Sequence, residues 1–542
     1  MIFKNLFGKK IKKEDYSGEM PKEEDFNFDL IEHYFNNKDH PSAFQVIDNQ
    51  LTNDVDLDEL FTYIDRTHSK IGQQYLYSQI HSIDAVPNFE EQEALINDFT
   101  EHKQKRIKIQ SVLSKLNRRE SYYISHLFLS GFIPKPKWFW VVKMLSMTSF
   151  ATLLLSIFMN KLFIIPLITI YMINMAFYLW NKSNIMVYSD SIPQLMPLCK
   201  IAKEFALMNI IPTSKQEILS SANSIDELKY QTTFFKLKKG LTSEIEGPIV
   251  FFKEIVSILF LIEPQAVFHV LGKLEEKKKD IQILFEYVGK IDSAISVAAM
   301  RTSIPYYCMP SFLNTDKISL DFTDMYHPLI SDCVPNSLQI QDKSILLTGS
   351  NMSGKTTFIR TVALNVLLAQ TLNTCFAQTF KLSQIRLFSA IRITDDLFSD
   401  KSYYFEEVQT VKNMLNESLS GSKNIFFLDE IFKGTNTIER IAAGKAVLSY
   451  LAKSDNNLVF VSTHDIELSD LLKDAYDLYH FTEVIQGEQI HFDYQLKSGN
   501  LSTKNAIRIL EINDYPPQLV EEAKEISLKL EHNSSISTLK SV

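Results

Sequence analysis

Glycine is scarce in this chain, 15 residues in 542, so the few that fall close together stand out. Cysteine is scarcer. Cys199, Cys308, Cys333 and Cys375 lie far apart and match no metal-ligand spacing, which argues against a zinc framework and predicts reduced, mostly buried thiols in a cytosolic compartment. Positive charge is also in deficit. A net charge of −9 gives no whole-protein field for nucleic acid, and no basic patch is displayed clearly. Nor does the start read as a secretory leader. Met1–Lys13 is basic and mildly apolar, without the apolar core or the small-residue cleavage site that a signal peptide needs. A solvated tail and a surface leaning on anionic lipid both fit it.

What is present suits a folded, several-domain protein. The chain is 45% hydrophobic and 22% charged, and a domain uses about 150 residues. After a lead-in to residue 50, apolar residues recur at helical steps: Leu57, Leu60, Phe61 and Ile64, then Ile71, Tyr75, Leu76 and Ile80. This predicts an antiparallel helical layer over 51–135. Residues 183–305 return to the same character, and their charge run EEKKKD, from Glu275 to Asp280, reads most simply as a solvated helix face.

Between those segments the apolar content changes. Val141–Met159 carries one charge, Lys143, and Leu162–Trp180 carries none over 19 residues. About 20 apolar residues span a bilayer core. The second stretch holds ten Leu, Ile or Phe. These are worth roughly −3 to −6 kcal/mol on the insertion scale, against modest costs for Pro166 and Asn174. Trp138, Trp140, Tyr178 and Trp180 stand at the ends, and Lys135, Lys137 and Lys182 flank both outer ends. The expectation is a tight transmembrane hairpin over 138–181 with both termini cytoplasmic. A pair of buried core helices is the alternative.

The chemistry concentrates in Ser344–Arg360, SILLTGSNMSGKTTFIR. A short apolar run leads into a loop bounded by Gly349 and Gly354, then into Lys355, Thr356 and Thr357. This is the order strand, phosphate loop, helix. Bare backbone N–H groups of Gly349, Ser350, Asn351, Met352, Ser353 and Gly354 wrap phosphate oxygens, Lys355 reaches the outer phosphates, and the Thr356 hydroxyl serves Mg²⁺. Downstream, Asn424–Glu430 (NIFFLDE) is a buried parallel strand ending in two carboxylates. Asp429 is assigned to the Mg²⁺ shell and Glu430 to polarising the attacking water. A third strand, Asn457–Ser462, delivers His464 to the same edge, where a histidine can hydrogen-bond a γ-phosphate. For a lone DE pair the bland alternative is a surface turn, and for a lone histidine a structural role. Ser402–Glu407 and Gly434–Thr437 are polar loops whose partners spacing alone does not identify.

Taken jointly, these segments resemble the MutS family, the ATPases of DNA mismatch repair, through most of residues 51–530. TGSNMSGKTTF, FFLDEIFKGTNT and STHDIEL are similar to the family's three nucleotide-site motifs. RITDDLFSDKSYYFEEV is similar to the loop that reaches a neighbouring subunit's nucleotide, which implies Ser402 as a contact made in trans. FTYIDRTHSKIGQQYLYSQI and KIDSAISVAAM resemble the core and lever helices, and DYQLKSGN with DYPPQLVEEAKEI the closing segment. The fold implied is an ABC-type α/β P-loop NTPase domain over 306–500, preceded by an all-α core and lever domain and followed by C-terminal helices and a tail over 501–542. ATP and Mg²⁺ are the implied ligands, and a homodimer through the ATPase domains and DNA the implied partners.

Departures from the family pattern qualify this. No counterpart of the mismatch-reading domain or of the DNA-gripping clamp is expected. Phe432 and Lys433 replace Gly-Arg, and Glu439 and Arg440 replace Asp-Gly. In SDCVPNSL, Cys333 stands where an aromatic residue usually stacks on adenine, and Asn336 of that segment is assigned to the nucleotide. Weaker base selectivity is expected. Three functions compete: DNA repair or recombination on mismatched or branched duplex, an ATP-driven membrane scaffold or switch without DNA contact, and a transporter ATPase. The last is disfavoured, because two spans do not line a path and no LSGGQ-like signature is present.

Overall fold

The computed structural model describes residues 20–129, 137–229, 247–392 apart from Asp316, Gln341, Asn351 and Met352, and 403–500 apart from Gly487 and Glu488. It also describes Ile507, Leu510, Glu511 and 515–539. The basic start at Met1–Lys13, Lys135, the phosphate-loop residues Asn351 and Met352, and Ser402 lie outside the described residues. Two compact units result: one gathers Ile47–Leu60 with the chain from Pro305 onward, and the other holds the described residues up to Val46 together with Phe61–Ile304.

The second unit is helical, and a close crossing shapes it. Helix α1 (Lys70–Ile80) begins at Ser69, whose hydroxyl accepts the Gly72 N–H. The helical spacing and this cap account for the element. Its long partner, Lys278–Ser303, buries Ile281, Leu284, Phe285, Val288, Ile291 and Ile295. Where the two cross, a Cβ on Gly72 would sit 2.1 Å from Asp292 Oδ2, and one on Gly289 would sit 2.6 Å from Tyr75 Cβ. Asp292 is fully buried and accepts the His68 and Ser69 N–H groups, both at 2.8 Å, and the Ser69 hydroxyl at 2.6 Å. Burial nonetheless pushes its carboxyl pKa up to about 6. The glycines are therefore required by contact rather than by turn geometry.

Two further helices in this unit, α2 (Trp140–Phe158) and α3 (Ile164–Ser191), pair through a short turn in which Asn160 Oδ1 accepts the Leu162 N–H at 3.0 Å. Lys137–Phe158 and Lys161–Leu179 are long and apolar enough to cross a membrane by length and composition, and only 11% of each apolar window is buried within the chain. Met147, Phe158, Met159, Leu162 and Ile165 all face outward. A polar contact joins the pair: Asn174 Nδ2 donates to Ser149 Oγ at 3.1 Å and to the Leu259 carbonyl at 2.7 Å.

The first unit is built on a six-stranded sheet. Its strands in chain order are β1 (Ser344–Thr348), β2 (Arg386–Ala390), β3 (Asn424–Asp429), β4 (Asn457–Ser462), β5 (Tyr476–His480) and β6 (Lys497–Ser498). They lie side by side as β6-β5-β1-β4-β3-β2, parallel except for β6. The apolar runs ILL, IFFL and LVFV explain why β1, β3 and β4 occupy the middle. Their residues from Ile345 to Leu347, Ile425 to Leu428 and Leu458 to Val461 are all buried, as parallel strands covered on both faces must be. Helix α4 (Lys355–Thr371) follows β1 directly and is buried along most of its length. A separate four-stranded sheet combines Ser311–Phe312, Thr379–Leu382, Leu320–Met325 and Asn336–Gln339.

Residues 51–60, expected to belong with the helices that follow, cluster here with the sheet, as do residues 47–50 of the lead-in. The reason is polar. Buried Asp54 accepts the backbone N–H groups of Ile391 at 3.0 Å and Arg392 at 2.7 Å, just past β2. Asp56, held in the left-handed region at φ +52°, pairs with Arg360 of α4 at 3.1 Å and with Arg392.

Candidate active site

The three central strands end in register. Ser462 of β4 lies beside Leu347 of β1 on one side and Asp429 of β3 on the other. Beyond that line the backbone stays knitted, with Thr463 N–H donating to the Leu347 carbonyl at 3.0 Å and Glu430 N–H to the Ser462 carbonyl at 2.9 Å. The carboxyl-terminal edge of a parallel sheet beside a helix N-terminus is where α/β folds place ligands.

The phosphate loop needs its two glycines for different reasons. Gly349 has φ +148°, and a Cβ there would meet the Phe481 carbonyl oxygen at 2.6 Å. Gly354, at φ +107°, caps α4. Lys355 is buried, and its ammonium donates to the Gly349 carbonyl at 2.7 Å and the Ser350 carbonyl at 2.9 Å. Burial pulls its pKa down to about 8, opposed by the charges of Asp429, Glu430 and Glu483. Thr356 Oγ1 donates to Asp429 Oδ2 at 2.7 Å, and Ser462 Oγ donates to Asp429 Oδ1. A threonine hydroxyl and a carboxylate oxygen thus meet beside the lysine. These hard oxygen donors are the set a Mg²⁺ bound to phosphates requires, so the residues present fit that ion.

Glu430 sits next along. His464 Nε2 lies 2.5 Å from Glu430 Oε1, and Lys433 Nζ lies 3.0 Å from Glu430 Oε2. The His464 hydrogen bond first, then Lys433, holds the Glu430 carboxyl down to about 2, against the effect of burial. Glu430 and Phe432 both occupy the left-handed region, at φ +51° and +64°. Two left-handed non-glycine residues so close together store strain that the surroundings must support. Part of that support is Glu407, which is buried and accepts the Phe432 N–H. Of the two stretches expected as polar loops, Tyr403–Glu407 is instead the first turn of the helix Tyr403–Glu417, and in Gly434–Thr437 Asn436 caps the helix Thr437–Leu451 by accepting the Glu439 N–H at 3.0 Å.

A cavity of about 520 Å³ opens over α4, lined by Cys333, Asn336, Ser350, Lys355, Thr356 and Tyr494 among others. Asn336 lies in its wall, but its amide is engaged. Nδ2 donates to the Tyr494 carbonyl at 3.0 Å, and Oδ1 accepts the Leu496 N–H at 2.7 Å. It holds the 494–496 segment in place. Sequence reasoning passed over Tyr494, Glu483 and Arg440. Tyr494, left-handed at φ +51°, brings an aromatic ring to the cavity that Cys333 also lines. Glu483 accepts the Ser350 hydroxyl at 2.7 Å. Arg440 grips Asp465 with two hydrogen bonds, at 2.8 and 2.6 Å, and so fixes the residue after His464. None of these contacts has a sequence spacing that would reveal it; Arg440 was visible only as a departure from a motif.

Comparison with known proteins agrees with this geometry. Residues 345–531 match the family model described as MutS domain V. Among curated relatives, the DNA mismatch repair protein MutS of Acetivibrio thermocellus is 28% identical over 284 residues, covering 50% of this chain and 32% of the relative. That of Pseudothermotoga lettingae is 31% identical over 269 residues, covering 47% and 32%. That of Fusobacterium nucleatum is 25% identical over 341 residues, covering 60% and 34%. The chain therefore spans about a third of the length of the curated relatives it matches.

Proposed function

The chain belongs to the MutS family, whose domain V is a P-loop ATPase domain, and from that premise we propose that it hydrolyses ATP as a nucleotide-gated dimer. The observation that carries the proposal is the convergence of Lys355, Thr356, Asp429, Glu430 and His464 at the ends of three adjacent parallel strands. Lys355 and the backbone of Gly349–Gly354 hold the phosphates of the substrate. Thr356 and Asp429 would hold Mg²⁺, which would neutralise charge on the outer phosphates. Glu430 orients and polarises a water for in-line attack on the γ-phosphate, and His464 positions Glu430 and hydrogen-bonds the γ-phosphate. Catalysis of this kind is positioning and electrostatics without covalent chemistry. The base lies in the cavity beside Tyr494 and Cys333. Asn351 and Met352 complete the phosphate loop, and the Ser402 loop of a second copy completes the site.

Substitution separates binding from chemistry. Glu430→Gln is expected to bind ATP with turnover lowered at least a hundredfold, and Lys355→Ala to lose binding. Unchanged turnover in Glu430→Gln would remove Glu430 from its role.

The process we propose is the one in the relatives' printed name, DNA mismatch repair; recombination, and mismatched or branched duplex as the ligand, are what the family resemblance implies. A second reading, an ATP-driven membrane scaffold or switch that does not touch DNA, is favoured by the outward-facing apolar surfaces of α2 and α3. On that reading residues 138–181 are the membrane anchor, with the nucleotide and helical domains cytoplasmic. DNA binding by the detergent-solubilised protein distinguishes the two. A true binder loses affinity steeply with added salt as counterions are released. Binding that is undetectable at low salt on homoduplex, mismatched and branched DNA would leave the membrane reading.

A further inference from the structure

Two of the four cysteines, 67 positions apart in sequence, face each other across a two-stranded bridge. Cys308 N–H donates to the Cys375 carbonyl at 3.0 Å, and Cys375 N–H donates to the Cys308 carbonyl at 2.9 Å. That reciprocal exchange defines the hydrogen-bonded type of antiparallel pair, whose Cα atoms stand about 5.5 Å apart. Disulfides favour a Cα separation of about 5.5–6 Å. The Cβ atoms of such a pair lie about 4.5–5.5 Å apart. In a hydrogen-bonded pair they lie toward the wider end, so closing a bond asks them to draw in by about 1.5–2 Å, to the usual 3.8 Å.

The side chains are already engaged. The Cys375 side chain hydrogen-bonds the Cys308 thiol, and this holds the Cys308 pKa below the ordinary thiol value despite partial burial. Burial dominates at the other two: Cys199 is pushed up to about 12, and Cys333 is raised. Cys308 is half-buried and reachable, while its neighbour Cys375 is fully buried. A reactive, accessible thiol next to a shielded resolving thiol is the arrangement of a redox-sensing pair. The flanking chain is anchored. Phe376 N–H donates to Asn365 Oδ1 of α4 at 2.6 Å, and Tyr326 N–H donates to the Phe376 carbonyl at 2.9 Å. A bond here would tie the segment entering the nucleotide unit to the loop that follows the phosphate-loop helix.

We propose that Cys308 and Cys375 form a reversible disulfide, with a low-molecular-weight disulfide such as oxidised glutathione as the oxidant. The Cys308 thiolate attacks one sulfur of the small disulfide, forming a mixed disulfide and expelling one small thiolate. Cys375 gives up its proton to solvent and attacks the Cys308 sulfur, expelling the second. Two protein thiols are oxidised to one S–S bond, and one small disulfide is reduced to two thiols.

The full-length protein, incubated with oxidised glutathione, denatured and alkylated, tests this by mass spectrometry. Two alkylatable thiols of the four should be lost and a cross-linked peptide pair containing Cys308 and Cys375 should appear, with both changes reversed by dithiothreitol. Cys375→Ser should trap a glutathione adduct on Cys308, and Cys308→Ser should abolish both adduct and cross-link. Four alkylatable thiols after oxidation would overturn the proposal, as would a cross-link through Cys199 or Cys333, or a Cys308 adduct that persists in the unsubstituted protein without cross-linking. None of these readouts depends on ATP turnover.

Discussion

Lys355 carries a pH signature. Its folded-state pKa of about 8 lies below the unfolded value of 10.5, because burial disfavours the charged amine. A lysine lowered in this way opposes folding at pH values below about 8, and that cost fades as pH rises from 8 toward 10.5. Phosphate oxygens beside the amine favour the charged form, so nucleotide binding near pH 8 is expected to take up roughly half a proton. Calorimetry of ATP binding in two buffers of different ionisation enthalpy measures this, and identical apparent enthalpies would count against it. Glu430 behaves oppositely. Its folded pKa of about 2, against 4.5 ordinarily, gives stability that is present above pH 4.5 and lost as pH falls toward 2. At neutral pH it is therefore a carboxylate, as a group that polarises water must be.

At the scale of elements, the short helix Asn49–Asp54 acts as a polar clasp on β2. Truncating Asp54 to Ala would leave the buried N–H of Ile391 and the more exposed N–H of Arg392 without their acceptor. A buried orphan costs about 1–3 kcal/mol and an N–H that water can reach much less, so a loss of about 1–3 kcal/mol is expected. Thermal unfolding of the variant, followed alongside ATP binding, reads this directly; a melting temperature within a degree of the parent would show that the clasp is dispensable.

The same clasp marks how far the sequence was legible. The strands ILL, IFFL and LVFV could be read because a fully buried parallel strand needs an unbroken apolar run, and the phosphate loop because glycine is otherwise rare. Thr356 and Asp429 were paired from their chemistry, and they meet at 2.7 Å. Asp54 and Asp56 carry no such mark, since one carboxylate among 65 acidic residues has no local pattern that tells of a partner more than 300 positions away. Tyr494 and Glu407 were missed for the same reason. Their roles come from tertiary approach, Tyr494 to the phosphate loop and Glu407 to the left-handed turn after β3. Spacing alone did not identify a partner for Ser402–Glu407, and Glu407 points into its own chain.

For the whole molecule, the outward apolar faces of α2 and α3 set the strongest expectation. Removing Lys137–Lys182 should release the protein from carbonate-washed membranes into the soluble fraction, and an intact protein that is wholly soluble would refute the anchor. The clasp also has a consequence in time. Asp54 leaves the ribosome 337 residues before Ile391. At synthesis rates of about 5–20 residues per second, that is a wait of roughly 20–70 s. All of Phe61–Ile304, hairpin included, is made within that interval. Residues 47–60 of the nucleotide unit are thus made before its sheet, and their carboxylates stay in water until the helical unit has already had time to fold.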